Sequence, residues 1–434
     1  MSSLRSLVKK FIPVILFEKL EPLGHLVEAV IANIRYGFPA RGIHIIGVTG
    51  TNGKTTTTFM IHRLLHEAGY KVAMTSTVAY GFGDDIKPQI EHITTAQAGV
   101  LQKRLRDFKK AGANWVVVET SSHALAQNRV WGIPYEIAVM TNLTYDHLDY
   151  HKTFEKYADA KRKLFSIANK NGRTFGVVNA EDKLATKFAN TIKRHVSYGI
   201  KAGDLRASKI NLESDHTTYT AKIDKDSYNI YLNLIGEFNV SNSLAAIAVA
   251  REIGLDKQQI ENGLKALEYV EGRVSNVDEG QSFNVFVDFA STPDAYTNIF
   301  NTVRPIVKGK LIAVFGSAGR RDESKRAVQG EIAGKFSDIV VITEEDDRDI
   351  DGNEIMNQIA EGVERKGKVL DKNYYKILDR ESAIKFAFSL ATSKDDTVLL
   401  LGKGHEKTIE RAHGADDWNE TEVAKKLLKE LVKR

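Results

Sequence analysis

Gly47-Val48-Thr49-Gly50-Thr51-Asn52-Gly53-Lys54-Thr55 is composed like a loop that holds phosphates. Glycines let backbone N–H groups approach phosphate oxygens, a lysine reaches the outer phosphates, and a Ser or Thr hydroxyl suits Mg2+, all at a helix N-terminus. Gly53, Lys54 and Thr55 fit those roles, although the strict spacing asks for glycine where Val48 stands. The plain alternative is a glycine-rich turn with a fortuitous lysine. Farther along, Glu119 closes the apolar run Trp115-Val116-Val117-Val118. Ligands of an open parallel sheet collect beyond the carboxyl ends of its strands, so an acid there either holds a metal or merely caps the strand. Asp146, His147, Asp149 and His151 follow in TNLTYDHLDYH. Mg2+ prefers oxygen to imidazole, so that cluster taken alone reads as a polar loop.

Alternating strands and helices must carry these residues. HIIGVTG reads as a buried strand, TTTTFMIHRLLHEAG as the helix after the loop, KVAMTST and NWVVVET as further strands, and AGVLQKRLRDFKKAG as a helix between them. That alternation predicts a mainly parallel sheet covered on both faces. Between about 200 and 235 the runs HTTYTAKI and SYNIYLNL predict antiparallel strands at an edge. A second α/β block follows, with FNVFVDFA, KLIAVFGSAG, DIVVITEED and DTVLLLGKGHE as strands. A chain of 434 residues exceeds one ordinary core. The expected divisions are a short helical N-terminal segment over 1–41, a central domain over 42–272 and a C-terminal domain over 273–434.

The composition is that of a soluble globular protein, with a modest net charge of +5 and no cysteine. Disulfides, thiolate metal sites and cysteine nucleophiles are thereby excluded, and a cytoplasmic location is permitted. The basic residues are dispersed, so nucleic acid is not an expected partner. Near the start, Arg5, Lys9 and Lys10 precede FIPVILF, which is too short to span a bilayer. A short amphipathic helix that packs on the protein, or touches a membrane surface peripherally, is expected instead.

GTNGKTTT, ETSSHAL, TNLTYDHLDYH, AKRKLF, GEFNVSN, VEGR, DFASTPDA, LDRESAI and GKGHE occur here in the order found in the Mur ligase family. The chain resembles its MurE type, the synthetases that extend muramoyl peptides in peptidoglycan assembly. In that family the loop is GTNGKT followed by Ser or Thr, so Val48 is no defect. The resemblance implies an α/β fold, with a P-loop-type central domain and a Rossmann-like C-terminal domain. It also implies ATP-dependent amide formation through an acyl phosphate, two Mg2+ ions, and a CO2-derived carbamate on Lys161. Catalytic positions would be Lys54, Glu119, His147 and Lys161, and metal ligands Thr55, Glu119, His147 and the carbamate. ATP contacts would be Gly50, Thr51, Asn52, Gly53, Lys54, Thr55, Thr56, Asn239, Asn242, Arg273, Asp288 and Lys325, with Arg326 in the same basic group. Thr94, Thr95, Ser121, Ser122, Gln127 and Arg129 match muramoyl-peptide contacts. Arg348, Gly402 and Glu406 match the amino-acid site, with Glu406 on the distal ammonium. Asn239 as a helix cap and Lys161 as a surface lysine are the plain alternatives.

Three departures qualify this. Only residues 1–41 precede the loop, where typical members carry a whole uridine-nucleotide domain, so a UDP-linked, lipid-linked or partner-held acceptor is open. Ser291 stands where the family has histidine. The selectivity segment reads Glu345-Asp346-Asp347-Arg348 in place of DNPR, which favours a cationic amino acid, with meso-diaminopimelate ahead of L-lysine. A folylpolyglutamate-synthase-like ligase and a partner-dependent non-catalytic subunit are the rival readings, and a monomer is expected.

Overall fold

The computed structural model describes residues 14–89, 93–213 and 216–432. Arg5, Lys9 and Lys10 lie outside these residues, as does the Asp149 side chain. Among the described residues the chain opens with a 23-residue helix, α1 (Val14–Tyr36), with Pro22 inside it. It buries Ala29, Ala32 and Asn33 and leaves Leu23, Val27, Ile31 and Ile34 exposed. Asn33 fixes it by donating to the Trp131 carbonyl at 2.9 Å.

Eleven strands among the described residues form the first sheet. In chain order they are β1 (His44–Thr49), β2 (Val72–Thr75), β3 (Ala79–Phe82), β4 (Asp85–Pro88), β5 (Trp115–Glu119), β6 (Tyr135–Met140), β7 (Phe175–Asn179), β8 (Arg194–Gly199), β9 (Leu205–Leu212), β10 (Thr217–Ile223) and β11 (Asp226–Leu232). Across the sheet they run β11-β10-β9-β8-β7-β6-β1-β5-β2-β3-β4. The pairs β1–β5, β1–β6, β2–β5, β6–β7, β7–β8 and β8–β9 are parallel, whereas β2–β3 and β3–β4 are antiparallel. β5 is buried along its whole length and β1 along all but His44, as expected of strands covered on both faces. Strand β4, at one rim, is short, mostly exposed and closed by Pro88.

The second sheet contains β12 (Ser275–Asn276), β13 (Asn284–Asp288), β14 (Leu311–Phe315), β15 (Ile339–Ile342), β16 (Tyr374–Lys376) and β17 (Thr397–Leu401) in the order β12-β13-β17-β14-β15-β16. All its pairings are parallel except β12–β13. Leu311, Ala313 and Phe315 join one apolar cluster and Ile312 and Val314 another, so the alternation of β14 feeds a core on each face. A hairpin of β18 (Thr408–Arg411) and β19 (Gly414–Asp417) follows.

The chain divides into two compact units. The first runs to Lys209 and takes in Tyr219–Ile230 and Val240–Ala266; the second comprises Ile210–Thr218, Tyr231–Asn239 and Leu267–Arg434. Segments of the predicted edge region therefore count with the second unit. No described helix is long and apolar enough to cross a membrane.

Candidate active site

β1 ends at Thr49, and helix α2 (Lys54–Glu67) begins five residues later. Val48 is fully buried inside β1, paired with Glu119 on one side and Val139 on the other. Glycine is needed farther on. Gly50 has φ 149°, and a Cβ there would lie 1.8 Å from the Thr141 hydroxyl. Gly53 has φ 80° and no room for a Cβ, which would meet Asn242 Oδ1 at 2.2 Å. As N-cap of α2, Gly53 brings no side-chain acceptor to the first helical N–H groups, and a helix N-terminus favours an anion. Lys54 Nζ donates to the Thr51 carbonyl at 2.7 Å, which folds the lysine back over the loop.

The loop is braced by Thr141 and Asn142, which sequence reasoning did not single out although both lie in TNLTYDHLDYH. Thr141 Oγ1 donates to the Asn52 carbonyl at 2.6 Å, and Asn142 Oδ1 accepts from the Asn52 N–H at 2.9 Å. Glu119 is 1% exposed at the carboxyl end of β5. It accepts from Thr55 Oγ1 at 3.1 Å, from Thr77 N at 2.8 Å and from Thr77 Oγ1 at 2.9 Å. Thr55 and Glu119 thus meet at the foot of the loop. No group of three or more His, Asp or Glu side chains suited to a metal occurs among the described residues. One hydroxyl beside one carboxylate is nonetheless a fitting donor set for Mg2+, which binds few protein oxygens and completes its shell with phosphates and water.

Lys161, on the helix α3 (Phe154–Ala168), is a buried lysine at 1% exposure, so the surface alternative is set aside. Its Nζ donates to the Gly50 carbonyl and sits 4.6 Å from the Tyr157 ring centre. Burial first, and then the Lys54 charge, hold its pKa well below that of an ordinary lysine. Tyr157 hydrogen-bonds Thr51 Oγ1 at 2.9 Å, linking this helix to the loop. His147 pairs with Asp146 at 3.3 Å and meets His123 edge-on at 4.7 Å. Burial, followed by the charges of His147 and His151, pushes His123 down to about 3, so its imidazole is neutral at physiological pH. In the sequence His123 stands out only as part of SSHAL.

The positions matched to the muramoyl peptide lie beside Glu119. Thr95 Oγ1 donates to the Glu119 carbonyl at 2.9 Å and accepts from Ser121 N at 2.9 Å. Arg129 Nη1 approaches the Thr95 carbonyl at 3.4 Å, and Ser122 Oγ contacts His151 Nε2 at 3.0 Å. Gln127 is buried, and its Oε1 meets no hydrogen-bond partner among the described residues. Thr94 is half-buried next to Thr95, and Thr56 is buried on α2.

Within the second unit, Asn239 lies in the first turn of the helix Glu237–Ile253, and its amide donates to the Ile235 carbonyl at 2.9 Å. Asp288 is buried at the end of β13, accepts from Val274 N and Ala290 N, and is raised by burial above the usual carboxylate range. Arg273 lies over the Phe289 ring at 5.1 Å, and Phe289 packs on His405 at 4.9 Å. Lys325 Nζ and Gln329 Nε2 both donate to the Ser291 carbonyl at 3.0 Å. Arg326, expected beside the phosphates, is instead fully buried, with Nη1 on Gln358 and Nη2 on the Ala318 carbonyl. These bonds hold the helix Ser324–Phe336 to its neighbours.

At the amino-acid positions, Arg348 Nε donates to Glu410 at 2.6 Å. Lys403, which sequence reasoning passed over within GKGHE, is fully buried between Asp346 at 2.7 Å and Glu406 at 2.6 Å. The Glu345 carboxyl presses against Gly402, where a Cβ would come within 2.7 Å of it.

Residues 48–250 match the family model described as Mur ligase middle domain, and 272–404 that described as Mur ligase, glutamate ligase domain. The chain belongs to the Mur ligase family. Within it the type is MurE, and the chemistry is that of an ATP-dependent acid–amino-acid ligase. This Mur ligase is 38% identical, over 94% of its length and 83% of the relative's, to a UDP-N-acetylmuramyl-tripeptide synthetase of Roseiflexus sp. (strain RS-1). It is 39% identical, over 93% and 82%, to a UDP-N-acetylmuramoyl-L-alanyl-D-glutamate--2,6-diaminopimelate ligase of Syntrophomonas wolfei. A solved ligase of the latter description superposes with TM-score 0.64 and 30% identity, covering 90% of this chain and 79% of that one. Folylpolyglutamate synthase of Mycobacterium tuberculosis superposes at TM-score 0.72 over 94% of this chain and 95% of that one, but at 17% identity, so that likeness is of fold alone.

Proposed function

We propose that this Mur ligase joins a diamino acid, meso-diaminopimelate or L-lysine, to the free carboxylate of a muramoyl dipeptide. The observation that carries the reading is the Thr55–Glu119 pair beneath a glycine loop with Lys54 curled over it. The names of the 38–39% identical relatives support the acceptor and the amino-acid class. The acceptor carboxylate attacks the γ-phosphorus of ATP, ADP leaves, and an acyl phosphate forms. The neutral amine of the diamino acid then adds to the acyl carbon, and the tetrahedral adduct expels phosphate. In this reading the loop N–H groups and Lys54 hold the phosphate oxygens and offset the charge that grows on them. Thr55 and Glu119 would hold Mg2+, which supplies further charge neutralisation. Thr95, Ser121, Gln127 and Arg129 orient the acceptor. The unpartnered Oε1 of buried Gln127 is a natural acceptor for a substrate N–H.

Lys161 carries the carbamate in this proposal. A buried lysine with a depressed pKa presents a neutral amine, which adds CO2 and releases a proton, changing the side chain from neutral to −1. With His147 it would hold a second Mg2+. The reading implies a cytoplasmic monomer, with α1 free to touch a membrane surface.

Phosphate release with purified protein, ATP and a matrix of amino acids against UDP-linked and unlinked muramoyl dipeptides tests the proposal. Release should require both co-substrates, and ATP turnover indifferent to them would reject the ligase assignment. Lys161→Ala should lower ligation by about a thousandfold. A small carboxylate should restore part of it and added bicarbonate should not; an unimpaired mutant would remove the carbamate.

A further inference from the structure

We propose that Glu410 is a specificity-determining residue, directing the amino-acid site toward a diamino acid whose far end carries an ammonium and no carboxylate. The inference rests on the ligase reading above and deepens it. A guanidinium clamps a carboxylate through two adjacent N–H donors, either the Nε and Nη2 pair or the Nη1 and Nη2 pair. In Arg348 one donor of each edge is already engaged. Nε donates to Glu410 at 2.6 Å, Nη1 donates to the Gly319 carbonyl, and Nη2 stands 3.9 Å from Asp346. An incoming carboxylate would have to displace Glu410 to take the Nε and Nη2 edge, or the Gly319 carbonyl to take the Nη1 and Nη2 edge.

The surrounding charge acts in the same direction. Glu344, Glu345, Asp346 and Asp347 are all buried in one run, and Glu406 and Glu410 adjoin it. Lys403 answers Asp346 and Glu406, and Arg411 answers Glu344 at 2.6 Å. Arg348 answers Glu410, which leaves Glu345 and Asp347 without a cation in contact among the described residues. The Lys325 and Lys403 charges nevertheless act on Glu345, and the Arg411 charge on Asp347, through space. Lysine brings a net charge of +1 to this surplus of carboxylates, whereas diaminopimelate, with its second carboxylate, brings none. Two carboxylates held near one another in a partly desolvated site repel strongly, so the discrimination lies as much in what Glu410 rejects as in what it attracts.

The test measures kcat/KM for L-lysine and meso-diaminopimelate with the full chain, ATP and the muramoyl dipeptide. The native protein should prefer lysine by about tenfold or more, and Glu410→Gln, which frees the Arg348 edge, should shift the ratio at least about tenfold toward diaminopimelate. The shift should appear chiefly in the amino-acid KM. Glu410→Asp retains the charge and should retain the preference, and on an Arg348→Ala background the Glu410→Gln effect should shrink to the part that comes from direct repulsion of the second carboxylate. Native preference for diaminopimelate, or an unmoved ratio in Glu410→Gln, overturns the role of Glu410 while the ligase reading stands. Phosphate release with neither amino acid, from a folded protein that binds ATP, overturns both.

Discussion

Asp347 shows what the unusual acidic run costs. Burial, opposed by a weak contact to Glu345 N and reinforced by Glu344 and Asp346, raises its carboxyl from 3.8 to about 6. The folded state therefore keeps this proton after the unfolded chain has lost it. Stability from this group is present below about pH 4 and declines as pH rises through about 6. Asp347→Asn should therefore stabilise the protein at pH 7.5 by about 2–3 kcal/mol and change little at pH 3.5. Denaturant titrations at the two pH values check this, and equal effects at both would contradict it. The site was legible at this scale where chemistry demands one residue type, as at Lys54, Thr55 and Glu119. It was illegible where a residue acts by filling another's hydrogen bonds. Lys403 and Glu410 gain their meaning only from the buried partners that folding brings to them.

The turn between β1 and α2 is where backbone geometry and binding coincide. Gly53→Ala would force a left-handed φ on a residue with a Cβ and drive that carbon into Asn242. We expect a loss of about 1–3 kcal/mol in stability and weaker nucleotide binding, read by thermal melting and by ADP titration. Unchanged ADP affinity would detach the loop from the nucleotide. Most strands were readable because apolar runs such as WVVVE and TVLLL are buried end to end. The length of α1 was not, since a proline in the sequence argues against a continuing helix. Pro22 removes one rung of the hydrogen-bond ladder, and packing of Ala29, Ala32 and Asn33 sustains the rest.

At the scale of the molecule, the alternation of strands and helices was enough to read two α/β sheets in advance. The assignment of Ile210–Thr218 and Tyr231–Asn239 to the second unit was not. Contacts far apart in sequence decide such membership, and local pattern carries no record of them. The rim strand β4 has a different consequence. An open sheet edge exposes unpaired N–H and C=O groups on which other chains can polymerise. Here that rim is only Asp85-Ile86-Lys87-Pro88, two opposite charges and a residue with no N–H to donate. Replacing Asp85, Lys87 and Pro88 together by valine should leave the ligase machinery in place yet turn a concentrated, shelf-stable solution into one that seeds thioflavin-positive fibrils on storage.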